Sequence, residues 1–184
     1  MRIVGGKFKG RHLTAPLGQN TRPTTDRARE AVFNILTHGL SLDFGGITVL
    51  DLYAGSGALG FEALSRGAAR VLFFDNEPSA VKCIKSNGRK IGQSQFFFTC
   101  SGDASHLAAR TYRDKAATLA FLDPPYGMQL ITPTLITLDN GNWLVDDAVI
   151  VVEMGKNEKI KISPPFTFTS ERHYGNTSFT FLSY

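Results

Sequence analysis

Apolar positions follow two different periods in the first part of the chain. Residues 2–16 alternate apolar and basic side chains around several glycines, and this alternation predicts a small β-hairpin. Residues 25–39 instead repeat apolar side chains every three or four positions, which predicts an amphipathic helix. Thr25 or Asp26 can cap the start of this helix, and Gly39 ends it.

From residue 47 onward, short apolar runs alternate with helical segments. The predicted elements, in chain order, are strand 47–51, helix 58–66, strand 70–75, helix 78–89, strand 95–100, a short helix near 105–112, strand 117–123, helix 130–138 and strand 148–154. Pro133 interrupts the last helix, so that helix either starts there or bends. Period-two alternation in residues 159–184 predicts two or three antiparallel strands.

The alternation of strands and helices predicts an α/β fold of the doubly wound, Rossmann-like type. Its sheet is mostly parallel with an antiparallel C-terminal edge, and ligands bind at the carboxyl ends of the strands. The chain has 184 residues, a length that suits one domain. We expect residues 25–184 to form a catalytic core, and residues 1–24 to form a basic hairpin-and-loop appendage of that single domain, 1–184.

Composition mainly excludes other classes of protein. No segment is long and apolar enough to cross a membrane, and the first residues lack the apolar stretch of a signal peptide, so we expect a cytoplasmic protein. Cys83 and Cys100 do not form a C-x-x-C pair, and the four histidines lack metal-ligand spacing, so we expect no metal site. No heptad pattern indicates an obligate partner, and we expect a monomer.

The net charge is +4, and the position of the basic residues matters more than the total. Residues 1–30 contain seven basic and two acidic side chains, so the rest of the chain is slightly negative. Such a cluster is either a solvated surface or an arm that contacts nucleic-acid phosphates. The basic residues before the first predicted helix are Arg2, Lys7, Lys9, Arg11 and Arg22.

A glycine turn follows the first strand of the alternating region. The strand ends in Asp51, and G-x-G-x-x-G follows at Gly55, Gly57 and Gly60, the spacing of a turn that binds an adenosine cofactor. In a nicotinamide enzyme this turn holds a pyrophosphate, which Asp51 would repel. S-adenosylmethionine carries an ammonium and a sulfonium group, so the acid beside the turn favours this cofactor.

Acidic residues also follow the next two strands. Asp75 ends the second strand, and its carboxylate can accept both ribose hydroxyls of either cofactor, a role for which Glu77 is a competitor. Asp103 follows the third strand and either hydrogen-bonds an adenine amino group or caps a turn.

The fourth strand ends in the sequence "LDPPYG", which indicates amine chemistry. The exocyclic amine of a base is planar, and its nitrogen must move toward tetrahedral geometry before it can attack a methyl group. The Asp123 carboxylate and the Pro124 carbonyl can each accept one N–H, and the fixed φ angles of Pro124 and Pro125 orient that carbonyl. Tyr126 can stack on the base, so the motif predicts an amino-methyltransferase that requires no metal.

Several segments together resemble one family. "DLYAGSGALG" and "LDPPYG" are similar to motifs of S-adenosylmethionine-dependent amino-methyltransferases of class I. "MRIVGGKFKGRHL", "TRPTTDRAREAVFNIL", "YAGSGALGFEALSRGA" and "RHYGNTSF" narrow the resemblance to the RsmD family, which methylates a guanine N2 of bacterial 16S ribosomal RNA. The resemblance covers nearly the whole chain, and its N-terminal part is the most specific to this family.

The resemblance implies a function and a set of residues. It implies 16S ribosomal RNA as the partner, in the small subunit or an assembly intermediate, and S-adenosylmethionine as the cofactor. It implies cofactor contacts at Asp51, Tyr53, Ala54, Gly55, Ser56, Gly57, Asp75 and Asp103; catalysis at Asp123, Pro124, Pro125 and Tyr126; and RNA contacts at Arg2, Lys7, Lys9, Arg11 and Arg22.

Two other classes of function are weighed against this one. D-P-P-Y also occurs in enzymes that methylate DNA adenine N6, cytosine N4 or protein glutamine N5. The basic N-terminus disfavours a protein substrate, and the short appendage disfavours a reader of DNA sequence, which needs a larger groove-contacting surface. A non-catalytic RNA-binding protein with the same fold is disfavoured by the intact D-P-P-Y motif.

Overall fold

A seven-stranded sheet organises the fold in the computed structural model, which describes residues 1–16, 25–111 and 115–184. The strands are β1 (Thr48–Leu52), β2 (Arg70–Asp75), β3 (Phe97–Ser101), β4 (Ala117–Leu122), β5 (Leu144–Gly155), β6 (Thr167–Tyr174) and β7 (Thr177–Ser183). Their order in the sheet is β3-β2-β1-β4-β5-β7-β6. β1 to β5 are parallel to one another, whereas β7 is antiparallel to both of its neighbours. The predicted Rossmann-like sheet with an antiparallel C-terminal edge is confirmed.

Among the described residues, four α-helices connect these strands or precede them: α1 (Asp26–Asn34), α2 (Ala58–Arg66), α3 (Pro78–Ile91) and α4 (Ile131–Asn140). The Thr25 hydroxyl caps α1 by accepting the Ala28 N–H at 3.2 Å, and a π-helical turn continues α1 as far as Gly39. Pro133 lies in the first turn of α4, where its missing N–H breaks no helical hydrogen bond. The helix therefore starts near Pro133 and does not bend there.

Alternate residues of the central strands enter two separate apolar layers, one on each face of the sheet. On the first face, the Phe121 ring lies 5.5 Å from Phe33 of α1, and the Phe73 ring lies 4.8 Å from Phe61 of α2. On the opposite face, Phe74 of β2 packs edge-on against Trp143 at 5.6 Å. These two layers hold the carboxyl ends of β1, β2 and β4 in a fixed relationship.

The N-terminal segment forms less β-structure than the predicted hairpin. An isolated antiparallel bridge joins Arg2 to His12, and a 3-10 turn over Gly6–Phe8 lies between them. The Val4 N–H donates to the Glu62 carboxylate at 2.7 Å, and the Phe8 N–H donates to the Ser65 hydroxyl at 2.8 Å. Backbone hydrogen bonds pair residues 1–3 with residues 10–13, so a short hairpin forms. Between these two segments, backbone donors bind side chains of α2 and extend the pairing no further.

The predicted helix near 105–112 was wrong. A single 3-10 turn over Ala104–His106 takes its place; residues 107–111 are not helical, and 112–114 lie outside the described residues. The Trp143 indole N–H binds the Ala108 carbonyl at 3.0 Å, and the Arg110 N–H binds the Gly141 carbonyl at 2.9 Å. These contacts with the α4–β5 connection use backbone groups that a helix would need.

Differences at other element ends are smaller. β3 begins and ends later than predicted, β4 ends at Leu122 just before the D-P-P-Y loop, and β5 is longer than predicted at both ends. Residues 159–163 are not a strand, so the C-terminal tail contributes two strands, β6 and β7. Within the described part of the chain, no helix is long and apolar enough to span a bilayer.

Candidate active site

Three of the predicted acidic residues meet at one edge of the sheet. Asp51 and Asp75 lie at the carboxyl ends of the neighbouring strands β1 and β2, and Asp123 directly follows β4 on the other side of β1. The Asp123 N–H donates to the Leu52 carbonyl at 3.4 Å, which extends the β1–β4 pairing to the motif. This edge is where parallel α/β sheets bind their ligands.

Asp51 is a buried acidic side chain at the end of β1. Its side chain is 2% exposed and accepts a hydrogen bond from the Gly60 N–H at 2.8 Å. Burial raises the pKa of Asp51 to about 8; the Gly60 hydrogen bond opposes this rise, and the Asp75 charge adds to it. A positively charged ligand beside Asp51 would stabilise its ionised form.

The glycine turn between β1 and α2 has one open side. Gly55 and Gly57 have φ angles of +53° and +77°, which favour glycine, and no atom lies within 4 Å of the position that a Cβ would take at Gly55. At Gly60 a Cβ would lie 2.3 Å from the ring of Phe73, so this glycine permits close packing of α2 against β2. The open side at Gly55 leaves room for a ligand against the backbone.

The remaining residues of the turn are held from several directions. Tyr53 also has a positive φ of 62°, and its hydroxyl lies 2.6 Å from the Thr134 hydroxyl of α4. The Ala54 N–H donates to the Phe74 carbonyl at 3.0 Å. The Ser56 hydroxyl donates to the Met1 sulfur at 3.0 Å. Contacts with α4, β2 and the N-terminal methionine therefore fix the turn.

Asp75 connects the second strand to the glycine turn. One carboxylate oxygen accepts the Gly55 N–H at 2.7 Å, and the other accepts the Glu77 N–H at 2.9 Å. Asp75 is 7% exposed, whereas the Glu77 side chain is on the surface at the start of α3. Each Asp75 oxygen retains one lone pair for a hydroxyl donor.

Asp103 caps the short turn that follows β3, as one of the two interpretations predicted. Its carboxylate accepts the Ser105 N–H at 2.8 Å and lies 3.0 Å from the His106 Nδ1. Hydrogen bonds from Ser105, followed by that from His106, lower the pKa of Asp103. A contact with an adenine amino group remains a prediction.

The D-P-P-Y loop is anchored at its far end. Tyr126 is 50% exposed, and its hydroxyl lies 3.2 Å from the Thr177 hydroxyl of β7. The Gly127 N–H donates to the Glu158 carboxylate at 2.5 Å. Pro124 is buried and Pro125 is exposed. The aromatic ring is thus presented to solvent next to Asp123.

Glu153 is a site residue that the sequence interpretation missed. It lies on β5, one position beyond the pairing of Leu122 with Val152, and is 3% exposed. Burial, and then the charges of Glu153 and Asp51, raise the pKa of Asp123 well above its ordinary value. The available signal was an acid inside the otherwise apolar run "AVIVVEM".

The predicted RNA-contacting residues belong to the N-terminal segment and precede the four acidic site residues in the sequence. Arg2 is paired with Asp26 at 2.9 Å. Lys7 and Arg11 each place their charge 5.7 Å from the Phe8 ring, and Lys9 is exposed. Arg22 lies outside the described residues.

Arg29 of α1 is a further basic residue that sequence reasoning did not single out. It is buried and donates to the Arg2 carbonyl at 2.6 Å and to Asp26 at 2.7 Å. The contacts of Arg29 fasten the N-terminal segment to the core, so its role there is structural.

The acidic edge and the open glycine turn fit an adenosine ligand with positive charge better than they fit a pyrophosphate. The cluster combines four carboxylates, on Asp51, Asp75, Asp123 and Glu153, within one edge of the sheet. In the described part of the chain, no group of three or more histidine, cysteine or acidic side chains has an arrangement that could hold a metal ion.

A Rossmann-like sheet with this turn and a D-P-P-Y loop at one edge defines a methyltransferase of the class I type. The chain belongs to the family described as conserved hypothetical protein 95, the RsmD family, whose model matches residues 1–183.

Individual relatives agree with this membership. YlbH of Bacillus subtilis is 36% identical over 179 residues, which cover 96% of this chain and 95% of YlbH. Ribosomal RNA small subunit methyltransferase D of Escherichia coli strain K12 is 35% identical over 153 residues, 83% of this chain and 74% of that protein. The solved structure of the Escherichia coli protein yhhF superposes with a TM-score of 0.83 at 30% identity, and the match covers 100% of this chain and 97% of yhhF.

Proposed function

We propose that this methyltransferase uses S-adenosylmethionine to methylate the exocyclic N2 amine of a guanine in 16S ribosomal RNA of the small subunit. The observation that carries the proposal is the position of Asp123 and Pro124 beside the acidic edge formed by Asp51 and Asp75. The name of the Escherichia coli relative, ribosomal RNA small subunit methyltransferase D, supports the RNA substrate.

The residues of the acidic edge fit the cofactor. Asp51 favours the positive methionine end, Gly55 and Gly57 allow close approach of the backbone, and the remaining lone pairs of Asp75 can accept ribose hydroxyls. Asp103 can accept the adenine amino group with oxygen lone pairs not used by the turn. When bound, the cofactor supplies an electrophilic methyl group on its sulfonium.

Asp123, Pro124 and Tyr126 act on the base. The Asp123 carboxylate and the Pro124 carbonyl each accept one N–H of the exocyclic amine, which directs the nitrogen lone pair away from the ring. Tyr126, half exposed and held by Thr177, stacks on the base and fixes its plane. The rate gain comes mainly from this alignment of the reacting atoms.

The ionisation of Asp123 matters for this role because an ionised carboxylate accepts the N–H of the amine more strongly than a neutral carboxylic acid does. Burial and the charges of Glu153 and Asp51 favour the protonated form. A cation bound at Asp51 opposes this effect, so cofactor binding prepares Asp123 to accept the amine.

The basic N-terminal segment supports an RNA partner whose shape is supplied by its own fold. Lys7, Lys9 and Arg11 are exposed beside the core and can contact phosphates, and we include Arg2 and Arg22 in the same contact. We propose that the substrate is this RNA within the small subunit or an assembly intermediate. We propose that the protein acts as a monomer in the cytoplasm.

The test is a transfer assay with S-adenosylmethionine carrying a labelled methyl group. Undermethylated small subunits, naked 16S ribosomal RNA, genomic DNA and total protein are offered in parallel, and the labelled product is identified after digestion. Label in N2-methylguanosine is the expected result. Label in N6-methyladenine of DNA or in glutamine would overturn the substrate, and no label despite cofactor binding would favour a non-catalytic RNA-binding protein.

A further inference from the structure

A second basic surface lies on α3, outside the N-terminal segment. Lys82, Lys85 and Arg89 are exposed at spacings of three and four residues, which places them along one side of the helix. The α3 sequence contains a fourth basic residue, Lys90, and no acidic one. Counting charge along the sequence hides this cluster, because acidic residues elsewhere balance it.

The basic side of α3 borders a groove at the open edge of the sheet. The groove has a volume of about 510 Å³ and runs along the edge strand β3. Its charged and polar lining comprises Arg70, Lys85, Arg89, Ser94 and Thr99, and none of the described lining residues is acidic. Several basic side chains along one groove suit a polyanion.

Exposed aromatic rings occur in the same place. Phe98 lines the groove and is 48% exposed, and Phe96, two residues earlier, is 41% exposed. The Arg70 guanidinium lies 4.2 Å from the centre of the Phe98 ring. A stacked arginine–phenylalanine pair beside further cations provides both a phosphate contact and a planar surface for an unpaired base.

The N-terminal segment contacts α3 beside this groove. The Arg11 guanidinium donates to the Lys90 carbonyl at 3.2 Å, so the predicted RNA arm ends where α3 ends. The groove lies along β3, whereas the D-P-P-Y loop follows β4, which is three strand spacings away in the sheet, a separation of roughly 14 Å. A ligand that reaches both must be an extended macromolecule.

We infer that Arg70, Lys85, Arg89 and Phe98, which we term the α3–β3 surface, bind a segment of the substrate RNA remote from the methylated guanine. Lys85 and Arg89 contact backbone phosphates, and Phe98 stacks on an unpaired base. The inference rests on the proposed function, since it concerns the same RNA. It adds a contact that determines affinity without touching the reacting atoms.

The test compares two double variants at the same positions. Lys85→Ala/Arg89→Ala removes both charges, whereas Lys85→Arg/Arg89→Lys keeps them as a matched control. Binding of a labelled 16S ribosomal RNA transcript is measured by filter retention over a range of salt concentrations. Circular dichroism and S-adenosylmethionine affinity establish that each variant is folded.

The neutral variant should bind the transcript roughly tenfold more weakly near 0.1 M salt, and its slope of log K against log salt should fall by about 1.4–1.8 in magnitude. The charge-preserving variant should retain the wild-type slope. Phe98→Ala should weaken binding by roughly fivefold with an unchanged slope, because stacking releases no counterions.

Two results would overturn the inference. Wild-type affinity and slope in the neutral variant would show that the surface does not bind RNA. Weaker binding only to assembled subunits, with transcript binding unchanged, would assign the surface to a ribosomal protein. The wild-type enzyme is assayed for methyl transfer in parallel. If the wild type transfers methyl groups to RNA and the neutral variant binds RNA as the wild type does, only the role of this surface is rejected. If the wild type transfers no methyl group to RNA, the proposed function is rejected.

Discussion

Gly55 donates its backbone N–H to the Asp75 carboxylate at 2.7 Å, so the end of β2 holds the turn that follows β1. The second oxygen of Asp75 accepts the Glu77 N–H, so one side chain fixes two segments. We propose that the same carboxylate accepts the ribose hydroxyls. A structural role and a binding role therefore meet at Asp75.

Asp75→Ala should lose both roles. Removing the carboxylate leaves the Gly55 and Glu77 N–H groups without this partner, which should lower the free energy of unfolding by about 2 kcal/mol and weaken S-adenosylmethionine binding. Glu77→Ala is the matched control, because its side chain is exposed and should change neither quantity. Urea unfolding and calorimetric titration measure both. Loss of cofactor affinity in Glu77→Ala with wild-type affinity in Asp75→Ala would transfer the ribose contact to Glu77.

Asp51 should make the free protein less stable as the pH rises. The pKa of Asp51 is about 8 in the folded chain and near 3.8 in the unfolded chain, so the folded state binds more protons between these values. The stabilisation is complete below the unfolded pKa and is lost as the pH rises through the folded pKa. Asp51→Asn keeps an oxygen for the Gly60 N–H and cannot ionise, so it should lose most of this dependence.

Thermal unfolding of both proteins from about pH 5 to about pH 9 measures the effect of Asp51. The variant should be the more stable protein at the alkaline end and should bind S-adenosylmethionine more weakly, since the cation has lost its counter-charge. A variant that is less stable than the wild type at every pH would contradict the assignment of an unneutralised buried carboxylate.

Gly55 and Gly60 should respond differently to the same substitution. Gly60→Ala forces a Cβ to 2.3 Å from the Phe73 ring and should lower stability by about 1–3 kcal/mol through overpacking. Gly55→Ala meets no atom within 4 Å, so only its positive φ costs stability, about 1 kcal/mol. The added methyl group at Gly55 nevertheless lies on the open side of the turn and should reduce cofactor affinity. Equal affinity in Gly55→Ala and the wild type would exclude a ligand there.

Tyr126 should contribute through its ring. Tyr126→Phe removes the hydroxyl that lies near Thr177 and keeps the stacking surface, so turnover should fall only a few-fold. Tyr126→Ala removes the ring, and kcat/KM for RNA should fall by roughly tenfold or more, while cofactor affinity stays unchanged. Steady-state kinetics separate the two variants. A Phe variant as impaired as the Ala variant would assign the function of Tyr126 to its hydroxyl.

The sequence predicted the sheet well because its central strands β1, β2 and β4 are buried on both faces and end at distinct turn residues. Thr25 and Gly39 mark helix ends through local chemistry, and the structure begins α1 after Thr25 and ends its π-helical continuation at Gly39. Asp51, Asp75 and Asp123 are brought together because parallel strands share one carboxyl edge. This part of the site follows from order along the chain.

Other features depend on contacts between distant residues. The segment 107–111 has helical composition but is held by the Trp143 indole and the Gly141 carbonyl, neither of which is local. Glu153 reaches Asp123 only through the pairing of β4 with β5. The basic side of α3 adjoins the N-terminal segment through the contact of Arg11 with Lys90, residues far apart in the sequence. The local pattern of apolar and polar residues cannot predict contacts between residues that are distant in the sequence.

We propose that the Asp123 side chain accepts a hydrogen bond from the amine of the base while other residues hold the cofactor. The most direct measurement is methyl transfer and S-adenosylmethionine affinity in Asp123→Ala and Asp123→Asn, each across a range of pH. Asp123→Ala should lower transfer on the order of 100-fold or more with cofactor affinity nearly intact.

Asp123→Asn keeps one acceptor oxygen and cannot be protonated, so it should retain part of the rate and lose the acidic limb of the pH profile. In the wild type this limb should lie above the ordinary carboxyl range, because burial and the charges of Glu153 and Asp51 raise the pKa of Asp123. Methyl transfer by Asp123→Ala at the wild-type rate, or a large loss of its affinity for S-adenosylmethionine, would contradict this role of Asp123.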